Sequence, residues 1–192
     1  VLNVVTGPGS TVGAELAENP KTNLVTFTGE TQTGINIAQG AAKCAKRVIL
    51  EMGGMDPLIV LEDADVEMAA EAALKGCYTL AGQVCTAVKR ILAMETIADS
   101  LIDLLVSKVK GLKVGDPLDR ATDVGPVINQ QAVTRIHGLV EGATDAGATI
   151  AIGGRQLKEG IYARGSFYAP TVLDHIEKEM KVAQVETFGP LA

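Results

Sequence analysis

Short apolar runs alternate with longer, Ala-rich amphipathic segments along this chain, and this alternation constrains the fold more than any other feature. The apolar runs predict strands over 2–5, 24–27, 47–52, 57–61, 90–94 and 149–152. The longer segments predict helices over 10–18 (capped by Ser10), 33–44, 97–110 and 132–146, and one more that starts at Asp63 or Asp65 and reaches about Leu80. Because strands that alternate with helices favour parallel pairing, we expect an α/β fold with a parallel sheet.

The composition narrows the range of partners. Aromatic residues make up only 3% of the chain, so we expect a core of Val, Ile, Leu and Ala, which suits parallel strands covered by helices. The net charge of −6, without any basic cluster, argues against binding to a nucleic acid. No apolar run reaches the roughly 20 residues that cross a bilayer, so we expect no membrane partner.

The three cysteines, Cys44, Cys77 and Cys85, cannot all pair with one another, and their spacing matches no common zinc motif. The simplest interpretation is free thiols in a reducing, cytoplasmic compartment, without a bound metal. Cys44 and Cys77 lie in predicted helices and are expected to be buried and inert. Cys85 lies in the turn AGQVCTA, where an accessible thiolate can be reactive, but the turn alone does not single it out.

Two further positions could carry chemistry. The segment from Gly29 to Gly34 (GETQTG) follows a predicted strand and opens a predicted helix, where backbone N–H groups and the helix dipole can hold a phosphate. Such turns are also common as plain connections. Glu51 ends an apolar strand, where a partly desolvated carboxylate is suited to act as a general base. The alternative for Glu51 is a salt-bridged glutamate at a strand end.

Motifs in register along essentially the whole chain are similar to those of the aldehyde dehydrogenase superfamily, which uses NAD or NADP. They are FTG at 27–29 followed by Gly34, LEMGG at 50–54, GQVCTA at 82–87 and ETFGP at 186–190. The shorter segments DAD at 63–65 and GPVIN at 125–129 also match. Four separate motifs in the same order make chance a poor explanation.

The resemblance implies an order of domains. Residues 1–52 would be the C-terminal part of a Rossmann-type NAD(P)-binding domain. Residues 53–192 would be an α/β catalytic domain with a parallel sheet, incomplete at its C-terminal end. In the full-length enzyme, the resemblance further implies a homo-oligomer, either a dimer or a tetramer.

By the same resemblance, Cys85 is the nucleophile and Glu51 is the general base. Gly29 and Gly34 would lie around the cofactor pyrophosphate. Glu186 would hydrogen-bond the nicotinamide ribose, and Phe188 would belong to the same cofactor-binding motif. The Cys85 thiolate would attack an aldehyde to give a thiohemiacetal, and hydride transfer would leave a thioester. Water activated by Glu51 would then release the carboxylic acid.

Three departures from the family pattern bear on activity. Glu30 stands where members often have a Ser that contacts phosphate, and its carboxylate would repel a pyrophosphate unless it turned outward. Val185 replaces a second Glu, which matters little. Family members are also considerably longer, and the upstream segment with a ribose-binding lysine and an oxyanion-hole asparagine is absent here. We therefore expect this chain to be a fragment that is inactive by itself.

The substrate is expected to be a small aldehyde. CTAVKR at 85–90 resembles members that act on lactaldehyde, glyceraldehyde or its phosphate, and small semialdehydes. Val84 replaces an arginine that often precedes the nucleophile in the glyceraldehyde-3-phosphate branch, which disfavours a phosphorylated substrate. Lys89 and Arg90 are expected to be solvated surface charges, although they could favour the Cys85 thiolate. Two alternatives stay open: a non-catalytic binding or structural fragment, and a relative that passes the acyl group to coenzyme A.

Overall fold

The computed structural model describes every residue from Val1 to Ala192, and the chain divides after Gly53 into two compact units. Unit 1 comprises Val1–Gly53 and unit 2 comprises Gly54–Ala192. The cofactor-binding and catalytic roles that the sequence predicts for 1–52 and 53–192 stay predictions. No helix in either unit combines the length and the apolar character needed to cross a membrane.

Unit 1 contains two helices and two parallel strands. Strands β1 (Leu24–Thr28) and β2 (Arg47–Glu51) run in the same direction, with Leu24 opposite Arg47 and Thr28 opposite Glu51. The register therefore places the C-terminal ends of both strands side by side. The predicted elements between residues 24 and 52 are confirmed, with ends that differ by one or two residues. The elements are α1 (Ala14–Glu18), β1 (Leu24–Thr28), α2 (Thr31–Ala42) and β2 (Arg47–Glu51), with a π-helical turn over Gly9–Gly13 before α1.

The first residues of unit 1 differ from the prediction. Residues 2–5 form no strand and are exposed, because a strand needs a neighbour to satisfy its backbone groups and none pairs with them. Ser10 is not a helix cap, since it lies inside the π-helical turn, whose N-cap is Pro8. Helix α1 begins only at Ala14.

Unit 2 contains six strands and three helices, and the predicted elements between residues 57 and 152 are confirmed with small differences at their ends. The 3₁₀ turns lie at Thr79–Gly82, Gly160–Arg164 and Lys181–Ala183. The strands and helices are β3 (Pro57–Val60), α3 (Val66–Tyr78), β4 (Arg90–Ala93), α4 (Glu95–Lys110), α5 (Gln130–Asp145), β5 (Thr149–Ile152), β6 (Gln156–Leu157), β7 (Phe167–Tyr168) and β8 (Val172–Asp174).

The strands of unit 2 pair two by two, and only one of the pairs is parallel. Strands β3 and β4 are parallel, with Pro57 opposite Arg90, and α3 forms the crossover between them. Strands β5 and β8 are antiparallel, and so are β6 and β7. The expected parallel pairing is therefore confirmed for β3 and β4, while the strand pairs in the last part of the chain are antiparallel. No α-helix lies between β5 and β8, and a parallel pair needs such a crossover.

Helix α3 is held in place at both of its ends. Its N-cap is Asp65, whose carboxylate accepts a hydrogen bond from the N–H of Met68 at 3.0 Å, which decides between the two predicted caps. At its C-terminal end, the buried hydroxyl of Tyr78 donates a hydrogen bond of 2.7 Å to the carbonyl of Thr171, just before β8. The turn that follows α3 therefore starts from a fixed position.

Small side chains bring α3 close to α4. Ala70 and Ala73 on α3 are fully buried, and Leu101 and Leu105 on α4 are nearly so. Short side chains on one helix allow the leucines of the other to fill the space between them, and this apolar contact is the main source of stability for such a pair. The packing supports the end of α3 from which the candidate active site begins.

Candidate active site

The turn that carries Cys85 has an unusual backbone. After α3 ends, Leu80, Ala81 and Gly82 have φ angles of 51°, 56° and 68°, in the left-handed region. This region is unfavourable for residues with a Cβ, and such strain is often found at functional sites. A Cβ at Gly82 would overlap the carbonyl oxygen of Gly189, so the turn also requires a glycine there. The chain thus reverses sharply just before Cys85.

The three thiols are all free, but they differ in exposure. Cys85 is exposed on its turn, as predicted. Cys77 is buried in α3, and burial raises the pKa of its thiol to about 12, which makes it inert as predicted. The prediction for Cys44 is wrong: α2 ends at Ala42, and Cys44 lies exposed in the following turn. Exposure alone therefore does not distinguish Cys85 from Cys44.

Lys89 is buried, which contradicts the expectation of a solvated surface charge. Its side chain is only 2% exposed. The Nζ atom donates to the carbonyl oxygens of Cys85 at 2.5 Å and Val84 at 3.2 Å, and it lies 3.5 Å from Oε1 of Glu186. A buried ammonium is stable only when such acceptors replace its water. Lys89 therefore connects the Cys85 turn to the segment that contains Glu186.

Arg90 is not a free surface charge either. Its guanidinium is partly buried and donates to the carbonyl oxygen of Met55, at 3.1 Å from Nε and 2.6 Å from Nη2. This contact fixes the residues that precede β3 to the first residue of β4. The two adjacent basic residues thus both bind backbone carbonyls within unit 2.

The carboxylate of Glu186 has a buried oxygen without a hydrogen bond. Its Oε1 atom is inaccessible to solvent, and the contact with Lys89 lacks hydrogen-bonding geometry. The backbone of the same segment is held from α5, where Arg135 donates to the carbonyl of Thr187 at 2.6 Å and that of Glu186 at 3.3 Å. Phe188 follows with a φ of 44° and a side chain that is partly exposed. The sequence predicts roles for Glu186 and Phe188 but not the support from Arg135.

Gln83 connects the Cys85 turn to the GPVIN motif. Its Oε1 atom accepts a hydrogen bond from the N–H of Ile128 at 2.8 Å, and its Nε2 atom donates to the carbonyl of Pro126 at 3.3 Å. An amide has both a donor and an acceptor, so it can bind two backbone groups of one loop at once. The structure thus gives this motif a position beside the turn, which its spacing in the sequence does not reveal.

Glu51 lies at the end of β2 in unit 1, and it is exposed. The prediction that this carboxylate is partly desolvated is therefore wrong. The alternative of a salt-bridged glutamate is not observed either, because Glu51 takes part in no ion pair. Its backbone is well defined, because its carbonyl oxygen accepts a hydrogen bond of 3.0 Å from the N–H of Gly29. Glu51 and the glycine turn of 29–34 thus lie next to each other at the same end of the two strands.

The glycine turn leaves little space for side chains. A Cβ at Gly29 would lie 2.6 Å from the ring of Phe27, and one at Gly34 would lie 2.6 Å from the sulfur of Met52. A side chain at either position would therefore push Phe27 or Met52 away from the turn.

Glu30 caps α2 rather than turning outward. Its carboxylate accepts hydrogen bonds from the N–H of Thr33 at 2.8 Å and from its hydroxyl at 2.9 Å. These bonds hold the pKa of the Glu30 carboxyl below its usual value. The first turn of α2 thus carries a negative charge where a phosphate group would otherwise be favoured.

The whole chain, residues 1–192, matches the model of the aldehyde dehydrogenase family. Lactaldehyde dehydrogenase of Methanocaldococcus jannaschii is 40% identical over 191 residues, which is 100% of this chain and 39% of that protein. Betaine aldehyde dehydrogenase of Staphylococcus aureus, solved in complex with NAD+, is 39% identical with a TM-score of 0.94, over 97% of this chain and 37% of that one. A solved 3,6-anhydro-L-galactose dehydrogenase in complex with NAP is 40% identical with a TM-score of 0.95, over 97% and 39% of the two chains.

These comparisons confirm the predicted family and the predicted α/β fold. The chain spans about two fifths of the length of the relatives it matches. Sequence identities of 39% to 40% indicate a shared family as well as a shared fold. The roles of individual side chains in this chain stay predictions.

Gly82→Ala tests the close approach of the Cys85 turn to Gly189. We expect the free energy of unfolding to fall by about 1–3 kcal/mol, because a Cβ would strain the left-handed backbone and overlap the carbonyl of Gly189. The matched control is Gly138→Ala within α5, where a Cβ meets no atom within 4 Å and should stabilise the helix by about 0.5–1 kcal/mol. Urea unfolding measures both, and a Gly82→Ala variant as stable as the parent would contradict the described turn.

Proposed function

The chain belongs to the aldehyde dehydrogenase family, and we propose that the protein containing it oxidises a small aldehyde to a carboxylic acid with NAD or NADP. One observation carries the proposal: an exposed thiol, Cys85, lies on a strained turn that a buried lysine connects to Glu186. The names of the relatives support this reaction, since they are dehydrogenases of lactaldehyde, betaine aldehyde and an anhydrosugar.

Cys85 is the proposed nucleophile. Its thiolate attacks the carbonyl carbon, and the electron pair of the carbonyl moves to oxygen to give a thiohemiacetal. No protein group accepts a hydrogen bond from the N–H of Cys85, so this donor is free to stabilise the oxygen. Loss of hydride from the same carbon leaves a thioester on the sulfur. A bound nicotinamide cofactor would supply the acceptor for that hydride, since no side chain can accept it.

Glu51 is the proposed general base for the second half of the reaction. A water molecule that loses a proton to the carboxylate attacks the thioester, which releases the carboxylic acid and the Cys85 thiolate. The exposed position of Glu51 at the end of β2 leaves its carboxylate accessible to water. The proposal for Glu51 is supported by the motif that it shares with the family.

The residues of unit 2 fit the ribose end of a nicotinamide cofactor. Oε1 of Glu186 is a buried acceptor without a hydrogen bond, and a ribose hydroxyl is a donor of the kind that would satisfy it. Phe188, in the same segment, keeps part of its ring exposed and available for contact. We propose that both residues bind the cofactor at this end.

The glycine turn of unit 1 is the proposed position of the pyrophosphate. Gly29 and Gly34 allow a close approach of the backbone at the start of α2. Glu30 must rotate away from Thr33 for an anion to reach the N–H groups there. Because Glu30 is exposed, this rotation meets no packing barrier.

The first experiment measures nicotinamide reduction by the intact protein, with lactaldehyde as the first substrate. We expect Cys85→Ser to lower the rate by about a thousandfold or more, because a hydroxyl is a much weaker nucleophile than a thiolate. Cys44→Ser is the matched control, since Cys44 is the other exposed thiol and should not affect turnover. An active Cys85→Ser variant would disprove the assignment of Cys85 as the nucleophile. If product forms only when coenzyme A is added, the protein is instead an acylating aldehyde dehydrogenase.

Glu51→Gln separates the two halves of the reaction. We expect a stoichiometric burst of reduced nicotinamide followed by steady turnover that is slower by about 10²–10⁴-fold, because only hydrolysis needs the base. Stopped-flow absorbance measures the burst. Glu62→Gln, at an exposed carboxylate with no ion pair, serves as control and should keep the parent rates. Loss of the burst in Glu51→Gln would contradict a role confined to hydrolysis.

Glu30→Ser tests the charge at the start of α2. We expect the Kd for NAD to fall by about two- to fivefold at low ionic strength, because Ser still caps the helix but removes a negative charge near the pyrophosphate. Isothermal titration measures the Kd, and the gain should shrink at high salt. A Kd that stays the same at low salt would argue against binding of pyrophosphate at this turn.

A further inference from the structure

We propose that Lys89 is a positioning residue that directs the backbone N–H of Cys85 toward the oxygen of a bound carbonyl substrate. The proposal rests on the proposed function, because it assigns to Lys89 a role in the step performed by Cys85. Lys89 does not touch the reacting atoms. It acts through the two carbonyl groups that it binds.

Lys89 makes specific buried contacts, unlike a lysine on the protein surface. The side chain is 2% exposed, and its ammonium reaches the carbonyls of Val84 and Cys85 and the carboxylate of Glu186. Two of its donors bind the carbonyl oxygens, and Glu186 lies 3.5 Å away as the opposite charge, without a hydrogen bond. The carboxylate balances the charge, and the two carbonyls fix the direction of the turn.

The planarity of the peptide group links these contacts to the N–H of Cys85. In a trans peptide, the C=O of one residue and the N–H of the next point in opposite directions. The carbonyl oxygen of Val84 is held by Lys89 at 3.2 Å and by the N–H of Ala87 at 3.0 Å. The N–H of Cys85 belongs to the same peptide group and therefore points away from the buried ammonium.

The next peptide group is held in the same way. Lys89 binds the carbonyl of Cys85 at 2.5 Å, so the N–H of Thr86 also points away from the lysine. Neither N–H makes a hydrogen bond within the protein. The exposed Cys85 thus presents its sulfur together with free backbone donors.

A fixed N–H beside the nucleophile has a direct chemical use. When the C–S bond forms, the π electrons of the carbonyl move to its oxygen, which is an oxyanion until the C=O bond re-forms and the leaving group departs. A donor already held in position stabilises this charge without reorganisation during the step. Lys89 keeps the donor in position, so its removal should slow steps that form an oxyanion at Cys85 and spare those that do not.

Two reagents separate these kinds of step, and neither needs the cofactor. p-Nitrophenyl acetate acylates a thiolate through a tetrahedral oxyanion, with loss of p-nitrophenolate. Iodoacetamide alkylates the thiolate by displacement of iodide, without any oxyanion. Mass spectrometry of the peptides measures both rates at Cys85 in the intact protein that also carries Glu51→Gln, where the acyl group stays on the sulfur, and exposed Cys44 gives an internal reference. The measured quantity is the ratio of acylation to alkylation.

We expect Lys89→Met to lower this ratio at Cys85 by about tenfold or more, since loss of one oxyanion donor typically costs about 10²–10³ in rate. Lys89→Arg keeps a charged donor and should recover most of the ratio. Lys46→Met is the matched control, because Lys46 also binds a backbone carbonyl, that of Asn19 at 2.7 Å, but in unit 1. It should leave the ratio unchanged. If Lys89→Met does not fold, Lys89→Gln is judged by the same criterion.

An unchanged ratio in Lys89→Met, or an equal fall in both rates, would overturn the proposal, because a purely structural role moves acylation and alkylation together. Failure of the parent protein to acylate at a Cys85 that still alkylates would instead overturn the nucleophile assignment itself, and with it this inference. The two failures are thus distinguishable within one experiment.

Discussion

The candidate site of unit 2 depends on the contacts that the buried ammonium of Lys89 makes. The ammonium binds the carbonyls of Val84 and Cys85 and contacts the carboxylate of Glu186, so one buried charge holds together two segments that are distant in the sequence. A buried charge without acceptors is unstable, and the same holds for the acceptors without the charge. Each segment therefore fixes the other.

Backbone strain in the same turn has to be offset elsewhere in the fold. Leu80 and Ala81 are in the left-handed region, which is unfavourable for both. The compensation comes from their surroundings: Ala81 is buried, and Tyr78 anchors the end of α3 to the carbonyl of Thr171. The turn is strained locally while the helix before it is rigid, which is how proteins commonly present a reactive group.

Periodicity predicts the helices and strands between residues 24 and 152 well, because α3, α4 and α5 each bury a row of apolar residues and β1 and β2 alternate exposed with half-buried ones. Residues 2–5 show the limit of that signal: they are apolar but have no strand beside them. Cys44 is misjudged because α2 ends two residues before it. The burial of Lys89 is missed because the opposite charge beside it, Glu186, lies far along the chain, and no local pattern reveals a contact of that kind.

The proposed roles of Cys85, Glu51 and Glu186 depend on motifs, since the physical signals at these positions are weak in isolation. A strand-end glutamate, a turn cysteine and a buried acceptor are each common. Their combination with the glycine turn of 29–34 points to one chemistry. Glu30 departs from the family motif, and only the structure reveals that its carboxylate caps α2.

The contact of Gly82 with the carbonyl of Gly189 limits the substitutions that this chain can accept. The GQVCTA and ETFGP segments meet at backbone atoms, so a change of rotamer cannot make room for a side chain at position 82. Such a side chain would have to displace the backbone of the ETFGP segment, which also carries Glu186 and Phe188. The spacing between the two segments is therefore set by main-chain atoms, and a substitution at one glycine would disturb both.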